Sequence, residues 1–355
     1  MSGNTFGHIF RLSTFGESHG PGLGGVVDGC PAGVPLDEAM LQRELDLRKP
    51  GQGSASTQRK ESDTVRLLSG VFEGRTTGTA IGFYIANEDQ RSRDYGAIKD
   101  VYRPGHADIT YEAKYGIRDY RGGGRASGRE TVCRVAGGAI AQELLRTQGI
   151  AVRAYTQELG GIAASVVDPA GALERPFFSP DPDVVDSWEA RIREIKGQGD
   201  SLGGVVVVEA LGVPAGLGEP VFDKLDARLA YALMGVGAVK GVEIGSGLEA
   251  ARSTGSRNND PILPEGFGSN HAGGILGGIS TGQMIVVRAA VKPIPSIAHA
   301  QQTMTRQGQP HTLHVGGRHD VSAIPRIVPV LKAMVLLTLA DAWLQQRLSR
   351  VQTTD

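Results

Sequence analysis

A layered α/β sandwich, α+β in character and not a Rossmann fold, is the class this sequence predicts, on three observations. Several stretches carry apolar residues at helical spacing, others are continuous β-branched runs, and the two kinds alternate too irregularly for a doubly wound parallel sheet. No strand leads into a glycine fingerprint followed by an acidic residue about 20 positions on, so a nicotinamide-type Rossmann site is disfavoured. No linker interrupts the pattern, and residues 1–355 are expected to form a single domain.

The elements follow in chain order. Leu36, Met40, Leu41 and Leu45 predict a helix, and residues 71–86 read as a hairpin turned between Gly74 and Gly78. A helix is expected through Val132, Val135, Ala136, Ala139, Ile140 and Leu144. The polar stretch 168–198 reads as a peripheral excursion holding one further helix. Residues 204–211 and 284–291 are β-branched and read as buried strands. Between them Phe222, Leu225, Leu229 and Leu233 sit at helical spacing. Ile327, Val330, Leu331, Met334 and Leu337 do the same within a long helix expected near 324–348. These stripes are core faces rather than cofactor boxes.

Composition narrows the function classes. With 40% apolar residues in 355, the chain can bury a substantial core. Lys plus Arg (37) nearly cancels Asp plus Glu (38), so no global field draws the chain to nucleic acid or membrane, and any anion site must be local. Cys30 and Cys133 make neither a disulfide framework nor a metal motif, which fits a reducing cytoplasm and no metal site. The N-terminus lacks an apolar stretch behind a basic start. The greasiest run, 333–339, is shorter than a membrane span, so a soluble protein is expected. Glycine, at 51 residues, is about twice its usual share of roughly 7%, which indicates specified backbone turns or close approaches.

The sharpest chemical feature is Arg121-Gly-Gly-Gly-Arg125-Ala-Ser127-Gly-Arg129-Glu130 at the head of a helix. Ser127 and Glu130 have capping-box spacing, the glycines let backbone N–H groups converge, and Arg118, Arg121, Arg125, Arg129 and Arg134 surround an anion cradle. An ordinary capped helix with solvated arginines is the competing reading. His19, in Phe15-Gly-Glu-Ser-His-Gly20, and His106, in Arg103-Pro-Gly-His-Ala-Asp108, stand on glycine-bounded turns where an imidazole suits acid–base work. Taken singly, each reads more readily as surface filler. Ser18 is off-centre for a nucleophile elbow. Arg318, His319 and Asp320 precede the long helix, and for Asp320 a helix-start charge and a site role stand about even. His271, in a glycine-lined turn, fits a flat ligand or a structural hydrogen bond.

The same strings, in order, resemble the chorismate synthases. To those quoted are added Gly216-Leu-Gly-Glu-Pro220, Val239-Lys-Gly-Val-Glu-Ile244, Ser269-Asn-His-Ala-Gly-Gly274 and Gly317-Arg-His-Asp320, so the similarity covers nearly the whole chain. The resemblance implies a β-α-β sandwich subunit, a cytoplasmic homotetramer, reduced FMN as cofactor, and 1,4-anti elimination of phosphate from 5-enolpyruvylshikimate 3-phosphate to give chorismate. It implies catalytic roles for His19 (proton to the leaving phosphate), His106 (proton to the reduced flavin), Ser18, Ser127 and Asp320, the last helping flavin N5 take the ring proton. Flavin contacts carry over to Arg125, Ala126, Ser127, Gly237, Ala238, Gly278, Lys292, Pro293, Ile294, Pro295, Ser296 and Arg318. Substrate anions carry over to Arg48, Arg103, Arg129 and Arg134.

Two departures bear on this. Many bacterial relatives have a basic residue, assigned to NADP contact, where Pro50-Gly-Gln-Gly-Ser54 has Ser54, so this chain is expected to need an external source of reduced flavin. Met234-Gly-Val-Gly-Ala238 replaces a more polar run beside the expected flavin. The rival classes are a flavin oxidoreductase acting on a phosphorylated substrate and a non-catalytic phospholigand-binding module.

Overall fold

The computed structural model describes residues 3–49, 62–88, 99–314 and 320–349. It contains two five-stranded sheets. The first runs, in spatial order, Thr5–Phe6, Arg11–Gly16, Gly22–Asp28, Ile81–Ala86, Val65–Leu67, every pair antiparallel. The second runs Val239–Ile244, Ile285–Val291, Gly204–Leu211, Ala151–Leu159, Ile162–Ala163, again wholly antiparallel. Antiparallel pairing needs no helical crossovers, which is why the chain lacks the regular strand–helix alternation of a doubly wound fold.

The helices are α1 (Glu38–Arg48), α2 (Asp108–Tyr115), α3 (Thr131–Arg146), α4 (Val185–Gln198), α5 (Leu225–Met234), the single turn α6 (Gly255–Asn258) and α7 (Ile324–Gln346), of which α1, α3, α5 and α7 pack on one another and on the sheets. α3 lies along α7 and reaches the first sheet, while α7 reaches the second, so helices form the middle layer. A helix covered on both sides must be apolar all round, and α7 is buried almost continuously from Ile324 to Leu344. It is long and apolar enough to cross a membrane, beyond what the short run 333–339 suggested, but 89% of its most apolar window is buried inside the protein. Gly138 on α3 allows the contact, because a Cβ there would overlap the Ala333 backbone and side chain on α7.

A buried carboxylate locks the chain's two ends together. Asp341 on α7 is fully buried and accepts from the N–H groups of His8 (2.9 Å), Ile9 (2.7 Å) and Phe10 (3.0 Å), with the Arg228 guanidinium at 3.0 Å. Charge and hydrogen bonds together make that burial tolerable.

Four expectations need correction. Residues 71–86 do not form one hairpin: Val71–Phe72 and Arg75–Thr76 make a short one, and Ile81–Ala86 joins the first sheet between Gly22–Asp28 and Val65–Leu67. Phe222 is 94% exposed and precedes α5, whose buried stripe begins at Leu225. The 168–198 excursion is polar outside only, since Phe177, Trp188 and Ile192 pack into the main core. The capping box at Ser127 forms by half, because the Ser127 hydroxyl accepts from Arg129 N–H (3.2 Å) whereas Glu130 turns to Thr14 Oγ1 (3.2 Å) and Arg134 Nε (3.0 Å).

Candidate active site

Two clusters of the expected residues form. The first is built on the hairpin between Arg11–Gly16 and Gly22–Asp28, whose loop carries Ser18 and His19. Ser18 Oγ lies 3.1 Å from His19 Nδ1. Gly122 is buried against this pair, and a Cβ there would overlap the His19 imidazole, so the glycine run admits the histidine rather than only making a turn. Arg125 ties that run to the hairpin, donating to Gly16 O (3.1 Å), Thr14 O (3.1 Å) and Thr14 Oγ1 (2.6 Å). Ser127 then opens the short 3-10 turn Gly128–Glu130 that leads into α3.

The arginines are held more tightly than solvated cations. Arg48, with a side chain 2% exposed, donates to Thr131 Oγ1 (3.0 Å) and Gly128 O (2.6 Å) and approaches Asp63 Oδ2 at 3.4 Å. Arg129 pairs with the other oxygen of Asp63 and donates from Nε to Asn87 Oδ1 at 3.0 Å. Asp63 is fully buried and left-handed, with φ +45°. Arg134 pairs with Glu130, donates to Gly235 O at 2.9 Å and lines a cavity of about 150 Å³ with Thr14 and Met334. Arg103 grips Asp108 through Nε (2.8 Å) and Nη2 (2.7 Å), and Arg118 reaches the same carboxylate at 2.9 Å. Burial pushes the Asp108 carboxyl up, but the bonds and charge of Arg103 outweigh it and hold the group below the usual range.

The second cluster surrounds His106. Its Nδ1 lies 3.0 Å from Pro104 O, an acceptor only, so Nδ1 carries the proton; Nε2, 3.0 Å from Ser296 Oγ, then accepts. Burial first, and the Arg103 charge second, lower the His106 pKa below its ordinary value. Lys292 Nζ donates to Gly105 O (3.1 Å), and Lys292 N–H donates to the carbonyl of Ala238 (2.9 Å), itself at φ +76°. Ser201 bonds to Ile294 O (2.6 Å) and Leu202 N–H to Val321 O (2.7 Å), which brings Asp320 to the same side. Asp320 pairs with Arg326 at 3.2 Å, while the Ser322 hydroxyl takes the Ile324 N–H at the start of α7.

Gly278 is not with the others. Its carbonyl accepts from Leu225 N–H at the start of α5, whereas Gly237 and Ala238 follow the helix's end, 10 residues or about 15 Å away. Ser54, Arg318 and His319 fall outside the described residues. Among the described residues no group of His, Cys, Asp or Glu could hold a metal ion, and both cysteines are free and buried. Asp63, Asn87 and Asp108 were missed as site-builders. Their partners lie elsewhere along the chain or, for Asp108, inside a string read for Arg103 and His106 alone.

Comparison with known proteins gives one answer. The family model for chorismate synthase matches residues 10–344. The chain is 73% identical over 347 residues to the chorismate synthase of Nitratidesulfovibrio vulgaris, covering 98% of each chain. It is 69% identical over 348 residues to that of Oleidesulfovibrio alaskensis, again covering 98% of each. A crystal structure of chorismate synthase superposes with a TM-score of 0.76 at 34% identity, covering 96% of this chain and 93% of that one. With both antiparallel sheets and the intervening helices in place, the chain belongs to the chorismate synthase family.

Proposed function

We propose that this chain is a carbon–oxygen lyase that removes phosphate from 5-enolpyruvylshikimate 3-phosphate by 1,4-anti elimination to give chorismate, using reduced FMN. The observation that carries the reading is the His19 site: an imidazole backed by Ser18, pressed on Gly122 and set beside the arginine-bearing turn that opens α3. Phosphate is a poor leaving group unless its departing oxygen is protonated or otherwise neutralised, and His19 supplies a proton there while the converging N–H groups and Arg125 favour the anion. Ser18 and Ser127 hold hydrogen bonds on either side of that donor. Substrate anions are assigned to Arg48, Arg129 and Arg134 about the start of α3 and to Arg103 beside His106, each already oriented by a carboxylate.

The second cluster fits reduced FMN. Gly237 has open space where a side chain would stand, Lys292 offers an ammonium, and Ser296 and His106 present paired polar atoms along a strip that includes Pro293, Ile294 and Pro295. Arg125, Ala126 and Ser127 are assigned to the same ligand by the resemblance; Gly278, at the far end of α5, stands apart from this cluster. Bound there, the reduced flavin supplies a redox-active ring that lets the elimination run without net oxidation. His106, neutral and protonated on Nδ1, keeps an Nε2 lone pair at this site, so any proton it delivers is one it has first accepted. Asp320 holds a carboxylate oxygen on the same side.

The subunit acts as one catalytic domain, supported by a core that runs continuously through both sheets. Exposed Val221, Phe222, Tyr231 and Leu348 support burial against further copies, in keeping with a homotetramer. Two buried free thiols, each pushed up to about 12, support a reducing cytoplasm. An anaerobic assay with substrate and photoreduced FMN tests the reading. Chorismate and phosphate should form with far less than one reductant consumed per product, and stoichiometric consumption would place the chain among flavin oxidoreductases.

A further inference from the structure

Three strand ends of the first sheet meet behind the His19 loop. Val65 pairs with Ile85 and Gly22 with Ala86, so continuing the antiparallel register places Asp63 and Pro21 on either side of Asn87. Asn87 N–H donates to Pro21 O at 3.1 Å. Its side-chain amide nitrogen donates to Glu17 O at 2.9 Å and Gly20 O at 2.8 Å, the two carbonyls that bracket Ser18 and His19. Its amide oxygen accepts from Arg129 Nε at 3.0 Å.

The amide has only one orientation that works. Both neighbours of Nδ2 are carbonyl oxygens, which accept, and the neighbour of Oδ1 is a guanidinium, which donates; flipping the group would oppose like with like at every contact. Both amide hydrogens are therefore committed to one five-residue loop. Pro21 O also accepts from Tyr84 Oη at 2.9 Å, and Gly20 N–H closes on Glu17 O at 3.2 Å. The remaining freedom of the loop is thus set largely by one side chain from another strand.

We propose that Asn87 is a positioning residue for His19: its amide clamps both ends of the loop that carries the histidine, and its oxygen couples that loop to the Arg129–Asp63–Arg48 group. The assignment deepens the reading of His19 as proton donor and rests on it. A proton donor displaced by about 1 Å loses on the order of 10²-fold in rate, so the clamp matters to chemistry more than to substrate affinity.

Asn87→Asp separates the clamp from the arginine contact. The carboxylate keeps an oxygen for Arg129 but turns an acceptor toward Glu17 O and Gly20 O, where two donors stood. The single-turnover rate with reduced FMN should fall about 10²-fold, with half-saturating substrate within about three-fold of the parent. In a His19→Ala background the same substitution should cost less than about three-fold, because a clamp has nothing left to aim. Asn87→Ser, which removes both donors in a smaller side chain, serves if the aspartate variant does not fold. In the unliganded protein, imidazole ¹⁵N resonances of His19 should be single and sharp in the parent and broadened or doubled in either variant. A rate within three-fold of the parent, or a loss that multiplies that of His19→Ala, overturns the assignment. If the parent itself releases no phosphate, the proposed reaction fails, and the His19 resonances alone then decide the clamp: unchanged spectra in the variants overturn it.

Discussion

At the scale of single residues, the environment of each side chain separates site geometry from surface filler. For His106, burial and the Arg103 charge favour the neutral imidazole in the folded protein, whereas the unfolded chain takes up a proton at the ordinary histidine pKa near 6.5. The folded value lies below the unfolded one, so this contribution to stability is fully present above about pH 6.5 and is lost as pH falls below it. The melting temperature of the parent should accordingly drop more steeply between pH 7 and pH 5 than that of His106→Gln, which has no proton to gain. Parallel pH profiles for the two proteins would remove the buried neutral histidine from the account. Much of this site was legible in local strings, because His19, His106 and the glycine–arginine run each carry turn or capping chemistry within a few residues. Asn87 and Asp63 carried no such signal. Their roles depend on strand register and on partners 42 to 70 residues away for Asn87 and 66 for the Asp63–Arg129 pair, and a lone Asn or Asp beside a strand reads as an ordinary turn residue.

Among elements, the contact between α3 and α7 decides how closely the two halves of the sandwich approach. Gly138→Ala places a methyl group against the Ala333 backbone and should destabilise by about 1–3 kcal/mol, the usual cost of overpacking. Gly197→Ala, in α4 with nothing near the added carbon, should be neutral or stabilising by up to about 1 kcal/mol through helix propensity. Urea midpoints of the two variants test the pair, and equal shifts would mean that close approach at Gly138 is not what selects glycine. Periodicity located α1, α3, α5, α7 and the strands Gly204–Leu211 and Ile285–Val291, because each has one dominant buried face or is buried on both. It failed at Phe222, where an apolar residue at the right spacing lies beyond the helix start, and at 71–86, where Gly74 marks a turn but Ile81–Ala86 pairs with Val65–Leu67, just ahead of the expected arm, and with the distant Gly22–Asp28. Spacing reports which face is apolar, not which strand will cover it.

For the whole molecule, the expected anion chemistry is local: charges nearly cancel across the chain, while arginines concentrate around α2 and the start of α3. With no dinucleotide fingerprint and Ser54 in place of a basic residue, the purified protein supplied with FMN should show no NADPH oxidation approaching its rate of chorismate formation. Steady oxidation at a comparable rate would refute this and restore a pyridine-nucleotide role. The position of α7 has a different kind of consequence. The last helix among the described residues occupies the middle of the sandwich, and its Asp341 receives three N–H groups from residues 8–10. During synthesis, then, the strands of both sheets and the other helices of the layer are made before α7. Until translation has passed residue 346 and that segment has cleared the ribosome, the inner face of the second sheet and the side of α3 that meets α7 remain without their cover. Docking of α7 is therefore a late, long-range step in assembly.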